Sequence, residues 1–179
     1  MKPLHGMART LGFGLVAALA VIPWQLVLSA FVTPGTALSA FALLCACGFA
    51  VVVAPSLRAA FIAGMACAPL AGAAFVLAPG VGATLLAAAL IAAFGRGLSY
   101  RAQPARTIAI ELVLLVPALS AAKLFGSGSP LGAALGIWSY CLVQSAFFLV
   151  LRPESRAAEA AGDAFEDAHA RALALLERR

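Results

Sequence analysis

The chain has 179 residues, 64% of them hydrophobic and only 11% charged, and its mean hydropathy is +1.03. A soluble domain carries roughly 45–50% apolar and about 25% charged residues, so a globule of this length has too little interior to hide the excess. Composition therefore excludes an ordinary soluble domain and points to a chain that crosses a bilayer several times.

The N-terminal MKPLHGMART is short and basic, and Leu11–Val32 then runs 22 residues without a formal charge. That exceeds the roughly 7–15-residue apolar region of a secretory signal, so it reads as an uncleaved first span, with Pro23 placed to kink it. Thr33-Pro34-Gly35-Thr36 is a turn, and a second span follows over about Ala37–Ala54. Pro55-Ser56-Leu57-Arg58 leads into a third, about Ala59–Ala78, where Gly64, Ala68 and Gly72 recur every four residues and make a smooth face for a neighbouring helix. Pro79-Gly80 turns the chain back into about Val81–Phe94, only 14 residues before Gly95-Arg96 and short enough to be re-entrant. Arg96–Arg106 reads as a polar connector. The fifth span is Arg106–Lys123, interrupted by Pro117, and the sixth is about Leu131–Leu151. Pro34, Pro79 and Pro130 each open a returning helix, a position where the missing N–H costs nothing.

Orientation follows the basic residues. With the N-terminus in the cytoplasm, eleven of the twelve Lys and Arg fall on inner segments and only Lys123 falls outside. Single basic residues at span ends suit topology better than a nucleic-acid surface, so no nucleic-acid partner is expected. The expected fold is all-α: a polytopic six-helix transmembrane bundle over residues 1–152. Residues 153–179 then form a cytoplasmic helix, whose apolar seam includes Phe165, Ala168, Ala172 and Leu175.

Chemistry is scarce along the chain. Of the seven Asp and Glu, six lie in the tail and one, Glu111, lies in a span. An ionised carboxylate costs roughly 2.5–3.5 kcal/mol near the centre of a span, so Glu111 must pair, line a wet cavity, take up a proton or reach the headgroups. It stands about 7.5 Å along the helix from Arg106 at 1.5 Å per residue, nearer the inner interface than the midplane, with Thr107 one turn back on its face. Three roles stay open: pinning the bundle through Arg58, Arg96 or Arg101, facing a polar pathway, or reaching the headgroups. Gln25 and Gln144 read as hydrogen-bond partners between helices, and Trp138 and Tyr140 as packing residues. Cys45, Cys47, Cys67 and Cys141 lie in apolar spans and read as small packing residues, with no metal spacing. No Ser–His–acid set, phosphate loop or zinc pattern appears, so neither an enzyme nor a cofactor is expected.

At Pro55-Ser56-Leu57-Arg58-Ala59-Ala60-Phe61-Ile62-Ala63-Gly64, and more broadly over most of residues 20–176, the chain resembles the bacterial fusaric acid resistance and aromatic acid exporter group of inner-membrane proteins. The likeness lies in the P-x-x-R turn before a Gly/Ala-rich helix, the paired short spans, and a last span ending in Leu-Arg-Pro before a charged, Ala-rich helix. The resemblance implies gradient-driven efflux of aromatic or related organic acids, with Arg58 as an inner-turn cation and Glu111 as a functional acid. Members are often longer, so a six-span unit is expected to work as a homo-oligomer, beside a periplasmic adaptor or a second membrane subunit. Arg58, Arg96, Arg101 and Arg106 would then gather anionic substrate at the inner face. The rival expectation is a non-transporting scaffold that docks a partner through its tail helix.

Overall fold

The computed structural model describes residues 3–99, 104–125 and 129–150, and every regular element in them is an α-helix. In chain order these are α1 (Pro3–Leu28), α2 (Pro34–Val53), α3 (Leu57–Leu77), α4 (Val81–Ser99), α5 (Pro104–Phe125), α6 (Pro130–Ser145) and the short α7 (Phe147–Val150). The tail seam of Phe165, Ala168, Ala172 and Leu175 lies outside the described residues, as does Arg101.

Helix starts follow local chemistry. Thr33 and Ser129 cap α2 and α6, accepting at Oγ from the backbone N–H groups of Thr36 and Gly132, with Pro34 and Pro130 in the first turn. Ser56 caps α3 in the same way, accepting from Ala59 N–H. These hydroxyls satisfy donors that no intrahelical carbonyl can reach. Pro79 departs from that pattern, because α4 begins two residues later, after Gly80 at φ 108°. A side chain at Gly80 would be strained, so the turn depends on glycine. Pro23, Pro69 and Pro117 all lie within continuous helices.

Two expectations are corrected. α1 begins at Pro3, so most of the basic N-terminus is its first two turns. α4 is 19 residues long and continues past Arg96 to Ser99, so Arg96 belongs to a helix and not to a connector. The last span runs over Pro130–Val150 as expected, with a one-residue irregularity between α6 and α7 at Ala146, which keeps helical backbone angles (φ −62°, ψ −21°).

Five helices are long and apolar enough to cross a membrane: α1, α2, α3, α4 and Pro130–Val150. α5 adds the shorter apolar stretch Ala109–Ala121. Leu, Val, Phe and Ile side chains stand exposed along the helices, as in a bundle whose surroundings are lipid. α1 packs on α6 and α2, α2 also on α3 and α4, and α5 chiefly on α6. α3 lies at the periphery with only Ala63 and Cys67 buried. Its glycine stripe touches α2 at Gly64, near Val51, while Ala68 and Gly72 stay exposed, so the smooth face is not closed within the chain.

Two buried clusters fill the interior. One gathers Ala17, Ala18, Val21, Phe41, Ala133 and Ala134 near the end where α1 finishes and α6 begins. The other gathers Phe49, Ala50, Val53, Ala63, Cys67, Ile91, Phe147 and Phe148 near the opposite end, which holds the N-terminus.

Candidate functional site

The second cluster surrounds a charge. Arg96, in the last turn of α4, is 1% exposed and is among the largest fully buried side chains. Gly95 beside it makes the position possible: a Cβ there would collide with Ala50 Cβ and lie 2.9 Å from Cys67 Sγ. With glycine, α4 presses against α2 and α3 and carries the neighbouring guanidinium inward.

Arg96 Nε stands 2.9 Å from Glu111 Oε1 on α5, and both side chains are buried. The contact is ionic, without the alignment of a hydrogen bond. The rest of the guanidinium is held by α6: Nη2 donates to Gln144 Oε1 at 2.9 Å and Nη1 to the Gln144 carbonyl at 3.4 Å. Gln144 lies two residues before the irregularity at Ala146, where α6 gives way to α7. Three rings flank the cation, with centroids 4.8 Å (Phe49), 4.6 Å (Phe147) and 5.9 Å (Phe148) from Cζ. Each such contact is worth about 0.5–2 kcal/mol when desolvated. The arginine is thus fixed by α2, α6 and α7, and Glu111 meets it from α5.

Several polar atoms of the cluster are left over. Beyond the ion pair itself, Glu111 Oε2, Gln144 Nε2 and Thr107 Oγ1 are buried without an aligned hydrogen bond among the described residues. An unmatched buried polar group costs about 1–3 kcal/mol, so the cluster holds more polar capacity than a purely structural pin requires. Thr107 lies one turn before Glu111 on α5 and is equally buried. Tyr140, one turn before Gln144 on α6, is close enough to feel the charges of Arg96 and Glu111.

The other residues singled out from sequence are dispersed. Arg58 is exposed in the first turn of α3, away from Glu111. Arg106 is in the first turn of α5, with its side chain outside the described residues. Gln25 is buried near the far end of α1, roughly 24 Å along the axis from Arg9 at 1.5 Å per residue, and so belongs to the opposite end of the bundle. Trp138 packs beside the first cluster. Of the four arginines expected to form an inner ring, Arg96 is inside the bundle and Arg58 is on its surface.

Sequence reading missed the three phenylalanines and the irregularity at Ala146. The available signal was Gly95-Arg96-Gly97, a charge between two residues that leave a helix surface open to close approach. Among the described residues no group of three or more His, Cys, Asp or Glu is placed to hold a metal. A shallow groove between α3 and α4, lined by Leu70, Ala74, Ala87, Leu90, Ile91 and Phe94, is apolar. Comparison with family models, with curated proteins and with solved structures gives no match.

Proposed function

We propose that the chain is the membrane unit of a gradient-driven exporter of small organic acids, with Glu111 as the group that couples proton uptake to movement. One observation carries this reading: a buried arginine–carboxylate pair whose carboxylate keeps unused hydrogen-bonding capacity. Ionisable residues inside a membrane bundle are expensive and mark ion or substrate pathways by default. The resemblance to the fusaric acid resistance and aromatic acid exporter group supports the same direction, with both termini cytoplasmic and the unit acting as a homo-oligomer beside an adaptor or second subunit. Arg58, Arg101 and Arg106 would gather anions at the cytoplasmic face, and Arg96 would receive them.

The test is export of an organic acid from vesicles with an imposed proton gradient. Glu111→Gln should abolish gradient-driven export while the protein still inserts and purifies; full export by this variant would remove Glu111 from the mechanism.

The clamp on Arg96 by three rings and Gln144 favours a second reading, in which the pair only pins α4, α5 and α6 and the protein is a scaffold. Deleting residues 154–179 separates the two: export survives the deletion in a transporter, whereas a scaffold that docks through its tail loses its partner.

A further inference from the structure

We propose that Glu111 sits in a carboxylate-binding site of its own protein: Arg96, Gln144 and Thr107 form a receptor for one small soluble carboxylate, which enters when Glu111 takes up a proton and gives way. The inference rests on the transport reading for its use, and on the buried cluster for its chemistry.

The fixed half of the site is the cation. Gln144 and the rings of Phe49, Phe147 and Phe148 hold Arg96 without any help from Glu111, so the guanidinium stays in place when Glu111 leaves. The movable half is the acid. Tethered to α5, Glu111 meets Arg96 Nε at 2.9 Å without an aligned hydrogen bond, while the Gln144 amide next to the same guanidinium faces the Tyr140 hydroxyl, with Nε2 lacking an aligned acceptor among the described residues. A free carboxylate has no tether. It can align one oxygen with Arg96 Nε–H and the other with Gln144 Nε2, improving on the geometry that Glu111 and Tyr140 offer these two donors.

Charge sets the stoichiometry. The Arg96–Glu111 pair is neutral, and a second anion added to it would leave a buried negative charge without a partner, which is strongly disfavoured. Each carboxylate therefore enters with one proton. The proton goes to Oε2 of Glu111, the oxygen not paired with Arg96, and the new O–H finds an acceptor in Thr107 Oγ1, one turn back on the same helix and itself without a partner among the described residues. The ionisable and charged groups facing Glu111 from the packed elements are Arg96 from α4 and Tyr140 from α6; α7 contributes only Phe147–Val150, none of them ionisable. The seam between α4 and α5 offers the opening. Among the described residues these helices pack lightly, and the ion pair is the polar tie between them. Neutralising Glu111 removes that tie at the place where the ligand must enter.

The experiment is calorimetric titration of the full chain in lipid nanodiscs with acetate and with benzoate, between about pH 6 and 8, where carboxylic acids of ordinary strength stay ionised. Where Glu111 is ionised, affinity should fall about tenfold for each unit of pH rise, and titrations in buffers of different ionisation heat should show about one proton taken up per ligand bound. Glu111→Gln should bind more tightly and without pH dependence. The double variant R96Q/E111Q, which leaves no buried charge and so keeps the fold, should not bind. Binding without proton uptake, a wild-type pH slope in Glu111→Gln, binding by the double variant, or no binding of either probe would each overturn the proposal. Export with binding that takes up no proton sinks the exchange alone; proton-linked binding without export sinks the transport reading and leaves the exchange standing.

Discussion

The two buried clusters solve the same packing problem with different materials. At the end where α1 finishes, Ala17, Ala18, Ala133 and Ala134 bring α1 and α6 together, and Phe41 packs against Trp24 with the rings tilted by 55° and their centroids 5.6 Å apart. The indole nitrogen of that region is matched: Trp24 Nε1 donates to the Ala37 carbonyl at 2.8 Å. At the end that holds the N-terminus, larger rings enclose a charged pair and several polar atoms are left without partners among the described residues. Helices that needed only to adhere could have used the first solution at both ends. The second carries a desolvation cost that apolar packing avoids.

Breaking one half of the pair should give the largest effect. Glu111→Ala or Arg96→Ala leaves a lone buried charge and should cost about 3–5 kcal/mol, read as a lowered midpoint of thermal unfolding in mild detergent. Replacing both with leucine (R96L/E111L) should restore most of that stability, because a buried pair exchanged for apolar side chains is often neutral or stabilising by about 1–4 kcal/mol. A stable double variant that has lost export would separate function from adhesion; a double variant as unstable as the single ones would make the pair a structural element like Trp24.

A smaller effect sharpens the comparison through shape. Gly95→Val forces a side chain into Ala50 and Cys67 and should destabilise by about 1–3 kcal/mol, with Arg96 displaced. A methyl group added at Gly72 on α3 would meet nothing within 4 Å, so Gly72→Ala should be neutral or stabilising by up to about 1 kcal/mol through helix propensity. Thermal midpoints of the two variants, measured side by side, check the pair of expectations. The smallest change belongs to the apolar end: Trp24→Phe removes the bond to the Ala37 carbonyl and should cost about 0.5–1.5 kcal/mol without altering export.

Much of the frame was legible in the residues. Runs of apolar side chains bounded by Thr33-Pro34, Pro79-Gly80 and Ser129-Pro130 specify helices and turns through local chemistry, and the structure places helix boundaries close to them. Glu111 stood out because it is the lone acid of the apolar region, and its partner was among three named arginines. The inward position of Arg96 was not legible. A hydropathy reading ends a span at a charge, whereas α4 runs on because Glu111, Gln144 and three rings from other helices receive the guanidinium. Each of those contacts joins residues distant in sequence, so no window around Arg96 contains them.

The clasp on Arg96 also has a consequence for biosynthesis. Helices enter a membrane in the order they are made, and Arg96 arrives on α4 before Glu111 on α5 and well before Gln144, Phe147 and Phe148 on α6 and α7. During that interval its guanidinium can avoid the lipid interior only by reaching toward the headgroups. α4 should therefore wait shallow at the interface and sink to its final depth as the last helix docks. Until residues 144–148 are in place, Arg96 lacks the amide and two of the three rings that hold it inside the bundle.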